Sequence, residues 1–166
     1  MIVRRLELAD LPTYREVRLR ALREHPTAFT SAYEDEAAES LESYARMIAK
    51  PPSATFGCFD GATLVGIAAL IVPPGKKLRH RGTIVSMYVA PEARRTGAGR
   101  LLLQATIDAA RAVGLVAVIL FVEADNARAK ALYLSFGFRR YGTDPRVAVI
   151  DGVYYDADLM ILDLDS

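Results

Sequence analysis

The sequence is short of the features that would place it in several large classes of protein. It has a single cysteine, which cannot form an intramolecular disulfide, so a small scaffold held together by disulfides is excluded. Its 21 Lys and Arg residues nearly cancel its 20 Asp and Glu residues, leaving a formal net charge of +1. Without a strongly basic surface we expect neither a nucleic-acid partner nor binding to an anionic membrane.

Long apolar runs are also missing. No stretch reaches the roughly 20 residues that a membrane-spanning helix needs. Residues 1–10 alternate apolar and charged side chains instead of forming the apolar core of a signal peptide. We therefore expect a cytoplasmic protein. The length of 166 residues and the ordinary balance of 52% hydrophobic and 25% charged residues predict one globular domain over residues 1–166.

Local signals predict strands and helices in the first half of the chain. The expected strands cover residues 1–8, 54–59 and 63–72. Asp10 is expected to cap a helix that ends near His25, and Ser40 a short helix that runs to about Ala49. We interpret His25 as a side chain stabilised by the dipole at a helix C-terminus rather than as a catalytic group. Asp60-Gly61 predicts a hairpin turn between the second and third strands.

The centre of the chain predicts a strand, a helix and a second strand that together form one right-handed crossover. The strand covers residues 83–89, and a loop at 91–96 joins it to a helix at 97–113 with one polar stripe. Eight consecutive apolar residues at 115–122 predict a strand that is covered on both faces. The remaining elements are predicted as a helix at 126–135, which Asn126 can cap, and a hairpin of two strands within 139–164, turning at Asp151-Gly152.

A turn rich in glycine and arginine lies where the first of these strands meets the helix. Its sequence is Arg94-Arg95-Thr96-Gly97-Ala98-Gly99-Arg100. The first turn of a helix offers unpaired N–H groups and a partial positive charge, and glycines let a phosphate approach that backbone closely. The turn therefore predicts a pyrophosphate site. It lacks the Gly-Lys-Ser/Thr of a Walker loop and the third glycine of a dinucleotide fingerprint.

Residues 87–99 resemble the acetyl-CoA signature of the GNAT superfamily of acyl-CoA-dependent N-acetyltransferases. They form an apolar strand ending in Val-x-Pro, followed by Arg/Gln-x-x-Gly-x-Gly/Ala. The second signature is matched by Asn126, Ala129, Ala131-Leu132-Tyr133 and Phe136-Gly137-Phe138. One helix and one strand separate the two blocks, as in the family. The resemblance implies an α/β (α+β) fold: a mixed, mostly antiparallel sheet wrapped by helices, with its two central strands parallel and splayed around the cofactor.

The resemblance also implies acetyl-CoA as cosubstrate, a primary amine as acceptor, direct transfer in a ternary complex and no metal. The N–H of Val89 would face the thioester oxygen, and the Tyr133 hydroxyl would act as a general acid towards the sulfur. A core aromatic residue is the alternative for Tyr133. Dimers are frequent in the family, so a homodimer stays open. The residues expected to bind the cofactor are Met87, Tyr88, Val89, Arg94, Arg95, Thr96, Gly97, Ala98, Gly99, Arg100, Asn126, Ala129 and Tyr133.

The general base is the part of the family pattern that the sequence does not supply. Many members carry a glutamate on the strand before the signature, whereas residues 83–89 contain no acid. Glu123, directly after the buried strand, is our candidate for this role, and a carboxylate that caps a loop is an equal alternative. The other candidates for the base are Asp125, His80, Glu34, Asp35 and Glu36, the last four favoured as solvated residues.

Two rival functions are compatible with the same residues. A module that binds acyl-CoA without catalysis would bind CoA but acetylate no amine. A nucleotide-binding protein would be stabilised more by ATP or NAD than by acetyl-CoA. Tyr154 and Tyr155 are interpreted equally as strand packing or as lining of an acceptor pocket, so the acceptor is not identified from the sequence.

Overall fold

The computed structural model describes residues 1–48 and 50–164, and it contains a seven-stranded sheet packed against helices. The strands are β1 (Ile2–Arg5), β2 (Ala54–Asp60), β3 (Thr63–Ile71), β4 (Arg81–Val89), β5 (Ala117–Glu123), β6 (Arg139–Ile150) and β7 (Val153–Asp163). The helices are α1 (Leu11–Glu24), α2 (Tyr33–Ala37), α3 (Leu41–Met47), α4 (Ala98–Ala112) and α5 (Ala127–Ser135). Short 3₁₀ turns lie at Leu8–Asp10, Pro26–Ala28 and Pro91–Ala93.

The sheet is mixed, with one parallel pair of strands at its centre. Its order is β1-β2-β3-β4-β5-β7-β6, and every neighbouring pair is antiparallel except β4 and β5. These two strands pair only where residues 81–83 lie beside 117–119. Beyond these residues both strands continue without further pairing to each other in the described part of the chain. The predicted fold, with two splayed parallel strands at its centre, is confirmed.

Alternation of side chains along the central strands builds a core on each face of the sheet. On one face, Ile67 of β3 and Tyr88 of β4 pack with residues of α1 and α3. On the other face, Ala68 of β3 packs with Leu102 of α4. The strand predicted to be covered on both faces differs at Phe121, whose side chain is 51% exposed, so full coverage is wrong at this position. Helix α1, which packs on that face of the sheet, lies chiefly against β3.

Most of the predicted turns and caps are where the local signals put them. Ser40 accepts a hydrogen bond from the Ser43 N–H at the start of α3, and the predicted end of this helix near Ala49 lies outside the described residues. Asp151 and Gly152 both have positive φ, 49° and 78°, which is the geometry that a two-residue hairpin requires. The turn between β2 and β3 is one residue later than predicted, since Asp60 still pairs with Thr63.

Asp10 and α2 depart from the prediction. The side chain of Asp10 does not cap α1; it pairs with the Arg4 guanidinium at 2.7 Å and accepts a hydrogen bond from the Glu7 N–H at 2.8 Å. A charged partner six residues away therefore outcompetes the local cap. Helix α2 was not predicted, because its five residues are too few to show helical periodicity.

The described part of the chain contains neither a membrane-spanning helix nor a cluster of metal ligands. None of its helices combines the length and the apolar character that crossing a membrane would take. Residues 1–48 and 50–164 also contain no group of three or more His, Cys, Asp and Glu side chains placed to hold a metal ion.

Candidate active site

A cavity of about 510 Å³ lies between the end of β4, the start of α4, helix α5 and the turn that follows α1. This volume is in the range of small-molecule sites, which hold roughly 300 to 1,000 Å³. All of the predicted cofactor-binding residues line it except Thr96 and Ala98. The side chains of those two point elsewhere. Thr96 Oγ1 donates to the Ala93 carbonyl at 2.6 Å, and Ala98, the first residue of α4, is buried in the core.

The turn before α4 places backbone N–H groups at the edge of the cavity. Arg95 and Gly97 have φ values of +66° and +95°, and this left-handed geometry turns the chain sharply into the helix. Gly97 is the N-cap residue, so the N–H groups of Ala98 and Gly99 have no carbonyl partner within the helix. These groups and the positive end of the helix dipole can receive an anion.

Gly99 leaves room for close approach to this backbone. A Cβ at this position would lie 3.5 Å from a Leu132 side-chain atom and 3.8 Å from one of Val89. These are ordinary van der Waals distances, so a methyl group would fit the protein without strain. The space that it would occupy lines the cavity, and a glycine leaves that space to a ligand.

Strand β4 carries an irregularity that changes the direction of its last residues. Ser86 has a φ of +57°, and the pairing with β3 shifts between Ile67 and Ala69. This is a β-bulge, which bends a strand and redirects the residues after it. Met87 and Val89 follow the bulge and line the cavity, on the side where β5 has separated from β4.

Tyr133 belongs both to the core and to the cavity. Its ring is 6% exposed and lies 5.8 Å from the Phe138 ring, centroid to centroid. Burial raises the pKa of Tyr133 to about 12. Within the described residues no protein group bonds to its hydroxyl, and no buried side-chain polar atom lacks a partner. The hydroxyl is therefore open to the cavity that the residue lines.

Helix α5 is held at both its start and its middle, which fixes the position of Tyr133. Asn126 Oδ1 accepts a hydrogen bond from the Ala129 N–H at 3.0 Å, the predicted cap. Lys130 Nζ lies 2.7 Å from Asp158 Oδ2 on β7, and Arg140 lies 2.9 Å from the other oxygen of the same carboxylate. The hydrogen bond from Lys130 lowers the pKa of Asp158, although burial opposes it.

Glu123 lies at the end of β5, half-buried, and does not itself line the cavity. Its Oε2 accepts a hydrogen bond from Thr27 Oγ1 at 2.8 Å. Thr27 immediately precedes Ala28, which does line the cavity. Glu123 also lies close enough to His25 to act on it electrostatically. The Glu123 carboxylate is therefore hydrogen-bonded to the residue that precedes a lining residue.

None of the other candidates for the base lines the cavity either. His80 is exposed and precedes the first residue of β4, whereas the cavity is at the opposite end of that strand. Asp125, Glu34 and Asp35 are exposed, and none of them lines the cavity.

Three further residues singled out from the sequence, Glu36, Tyr154 and Tyr155, also do not line the cavity. Glu36 is buried and bonds twice to the Arg18 guanidinium, at 2.7 and 2.9 Å, so its interpretation as a solvated residue is wrong. An arginine on another helix could not be assigned to it from the sequence. Tyr154 is 61% exposed beside the hairpin turn, and neither Tyr154 nor Tyr155 lines the cavity.

Sequence reasoning missed several residues that line the cavity. These are His25, Ala28, Phe29, Ala93, Arg128 and Leu132. His25 is the most informative, because its Nε2 lies 2.6 Å from an Arg94 Nη2. Burial and the charge of Arg94 lower the pKa of His25, which is the opposite of a histidine held charged by a helix dipole. No local signal could have paired two residues 69 positions apart.

The charge of the cavity has one sign. Its described lining contains four arginines, namely Arg94, Arg95, Arg100 and Arg128, and no Asp or Glu. Arg100 is also held in place, since it donates to Ser135 Oγ at 2.9 Å and lies over the Phe136 ring. Free N–H groups, a glycine without a side chain and four guanidinium groups together fit the diphosphate of a coenzyme.

The fold is that of an acetyltransferase, with an anion site where one of its two splayed central strands meets a helix. Residues 18–138 match the acetyltransferase (GNAT) family, so the chain belongs to that family, whose members use acetyl-CoA.

Curated relatives match only part of their own length. An L-methionine sulfoximine/L-methionine sulfone acetyltransferase of Pseudomonas aeruginosa is 40% identical over 86 residues, which are 51% of this chain and 50% of that protein. A mycothiol acetyltransferase of Kocuria rhizophila is 43% identical over 63 residues, 38% of this chain and 21% of that protein. The chain thus spans half or less of the length of these two relatives.

Solved structures match over the full chain. A ribosomal-protein-alanine N-acetyltransferase from Brucella melitensis superposes with a TM-score of 0.85 at 28% identity, covering 99% of this chain and 100% of that one. An acetyltransferase from Salmonella typhimurium, solved with acetyl-CoA, superposes with a TM-score of 0.84 at 23% identity, covering 100% and 95%. The second match shows the shared fold.

Proposed function

We propose that the protein transfers an acetyl group from acetyl-CoA to a primary amine, by direct attack in a ternary complex. The observation that carries this proposal is the start of α4, where backbone N–H groups, Gly99 and the surrounding arginines form a site for an anion beside two splayed strands. Membership of the GNAT family supports acetyl-CoA as the anion. The Brucella structure is that of an N-acetyltransferase, which supports a nitrogen acceptor.

The residues present fit acetyl-CoA along the whole cavity. The N–H groups of residues 95–100 would hold the diphosphate, with Arg94, Arg95 and Arg100 adding charge. The backbone of Met87 and Val89, free of β5, would pair with the pantetheine arm as an added strand does. Acetyl-CoA supplies an activated acetyl group as a thioester. The N–H of Val89 would stabilise negative charge on the thioester oxygen as the amine attacks.

Tyr133 would donate a hydrogen bond to the departing sulfur. With a pKa of about 12, its hydroxyl carries its proton at any physiological pH. A free thiol has a pKa of about 8.5, so transfer of the proton to a solvated thiolate would be uphill. Burial in the cavity would also raise the pKa of the CoA thiol, which would reduce the difference between its pKa and that of Tyr133. The hydroxyl is open to the cavity, as this role requires.

Glu123 is our candidate for the group that takes a proton from the amine. An amine reaches the site mostly as ammonium and must lose a proton before it can attack. Glu123 is half-buried at the end of β5 and accepts a hydrogen bond from Thr27, the residue before Ala28 of the cavity lining. A water molecule or Thr27 would therefore have to carry the proton between the amine and the carboxylate.

The proposal is tested by measuring CoA thiol release from acetyl-CoA over a panel of amines, with wild type and Tyr133→Phe. We expect the variant to bind acetyl-CoA as wild type does and to lose turnover by about 100-fold or more, the usual range for a general acid. Tyr154→Phe is the matched control, because Tyr154 is exposed and does not line the cavity. Glu123→Gln should lose turnover with similar acetyl-CoA affinity.

Each alternative has its own outcome. Binding of acetyl-CoA with no acetylation of any amine would favour the non-catalytic module. Acetylation of thiols but not amines would overturn the nitrogen acceptor and leave acetyl-CoA in place. Equal turnover by wild type and Tyr133→Phe would remove Tyr133 from the mechanism. Stronger thermal stabilisation by ATP or NAD than by acetyl-CoA would overturn the proposal as a whole.

A further inference from the structure

His25 and Arg94 form a contact within the cavity that the proposed chemistry does not use. Arg94 Nη2 lies 2.6 Å from His25 Nε2, and Arg94 Nε donates to the Val89 carbonyl at 3.1 Å. An arginine has only donors, so His25 Nε2 must be the acceptor and the imidazole must be neutral. The two acceptors together fix the plane of the Arg94 guanidinium.

The backbone of His25 is itself held in place. Its N–H donates to the Ala21 carbonyl at 3.0 Å, and its own carbonyl accepts the Ala28 N–H at 3.0 Å. The ring lies 6.2 Å from the ring of Tyr88, centroid to centroid. The hydroxyl of Tyr88 in turn bonds to Glu24 at 2.8 Å. The acceptor for Arg94 is therefore anchored to α1 and packed against β4.

Arg94 is the first residue of the arginine- and glycine-rich turn and lines the cavity together with His25. Its position between His25 and Val89 fixes a charged side chain where the turn begins. A guanidinium that is already oriented loses less side-chain entropy when it binds an anion. Among the described residues, removal of His25 would leave the Val89 carbonyl as the one hydrogen-bond acceptor for Arg94.

We propose that His25 is a positioning residue for acetyl-CoA binding: neutral His25 holds the Arg94 guanidinium towards the cavity, and protonated His25 repels it. The inference rests on the proposed role of Arg94 in CoA binding. The charged and titratable groups that face His25 are Arg94 from the turn after β4, Glu24 on α1, Glu123 on β5 and Tyr88 on β4.

The sign of the pH effect follows from these neighbours. Burial and Arg94 lower the pKa of His25 below 6.5, and the two carboxylates oppose them only in part. Above that pKa the imidazole is neutral and holds Arg94. As the pH falls through it, a positive charge appears 2.6 Å from the guanidinium and the contact is lost. Acetyl-CoA binding should therefore weaken on the acidic side.

The test is the dissociation constant of acetyl-CoA, measured by calorimetry between pH 5 and 8, which needs no acceptor. His25→Leu removes the acceptor and should weaken binding about tenfold at pH 8, the usual effect of losing a hydrogen bond to a charged group, and its difference from wild type should disappear towards pH 5, where wild type has lost the same contact. His25→Gln keeps a neutral acceptor that does not titrate. It should bind as wild type at pH 8 and better than wild type at pH 5.

Two controls isolate the effect. The chain has only two histidines, and His80 is exposed and far from the cavity, so His80→Gln should follow wild type at every pH. The 3′-phosphate of CoA also titrates near pH 6, but it does so equally for every variant. The ratio of the wild-type to the His25→Gln dissociation constant therefore reports His25 alone. Circular dichroism and melting temperature establish that each variant is folded.

The outcomes separate this inference from the function on which it rests. If Arg94→Ala binds acetyl-CoA as tightly as wild type, Arg94 does not contribute to binding. Its proposed role and the inference about His25 then both fail. If Arg94→Ala weakens binding while folded His25→Leu does not, only the inference about His25 fails. A ratio of wild type to His25→Gln that does not change with pH would also overturn it, because His25 would then not be acting through its protonation state.

Discussion

Replacement of Gly99 by alanine should stabilise the free protein and weaken its binding of acetyl-CoA. Gly99 is the second residue of α4 and has ordinary helical geometry, so alanine is compatible with its backbone. The nearest atom to an added Cβ is 3.5 Å away, on Leu132, which is contact without overlap. The methyl group would nevertheless stand on the wall of the cavity, between the helix backbone and the proposed diphosphate.

The two effects have opposite signs and can be estimated separately. Glycine in a helix is less stable than alanine by about 0.5–1 kcal/mol, which corresponds to a rise of about 1–4 °C in melting temperature for a chain of this size. Loss of one backbone hydrogen bond to a charged phosphate would cost about 1.5–3 kcal/mol, or about 10- to 150-fold in the dissociation constant of acetyl-CoA, and this is an upper bound because the family signature admits alanine at this position.

The assay combines thermal denaturation without ligand and calorimetric titration with acetyl-CoA. Gly75→Ala is the matched control, since Gly75 lies in a loop with open space around it and no positive φ. Gly97→Ala should behave differently from both, because a φ of +95° strains any residue with a Cβ and should lower the melting temperature. Undiminished affinity in a more stable Gly99→Ala protein would refute close approach of a phosphate to this backbone.

Three further predictions concern the scaffold of the site. Asn126→Ala removes the cap of α5 and should lower the free energy of unfolding by about 1 kcal/mol in thermal denaturation; no change would mean that the cap is not formed. Arg18→Met strands the buried Glu36 carboxylate and should cost about 3–5 kcal/mol in denaturant unfolding, and the double variant with Glu36→Leu should recover much of it; equal instability of both would contradict the pairing. Because Asp158 has a lowered pKa, its full contribution to stability is present above its unfolded pKa of about 4 and is lost as the pH falls from there through the lower pKa of the folded state. The difference in melting temperature between wild type and Asp158→Asn should therefore shrink below pH 4, and a constant difference would argue against an ionised carboxylate.

The parts of the fold that sequence analysis predicted are those with short-range causes. The two-residue turn at Asp151-Gly152 requires two residues that tolerate positive φ, and the chain supplies them. Asn126 caps α5 through a partner three residues away. The start of α4 is defined by Gly97, whose left-handed conformation ends the preceding turn. The residues that carry the family resemblance lie beside such local features.

The parts that sequence analysis missed depend on partners far along the chain. The interpretation of His25 used only its place at the end of α1, whereas its neutral state depends on Arg94 from the other side of the cavity. Glu36 looked like one residue of an acidic surface run, and its burial depends on Arg18. Even Asp10 is paired with Arg4 in preference to the adjacent helix. Side-chain pairs of this kind leave no periodic pattern in a sequence.

The central claim is that the first turn of α4 binds the CoA diphosphate through its backbone. A crystal structure of the protein with acetyl-CoA tests this most directly. We predict that diphosphate oxygens lie about 2.7–3.2 Å from main-chain nitrogens of residues 95–100, including that of Gly99. A complex in which the coenzyme lies elsewhere, with these nitrogens facing water, would contradict the account.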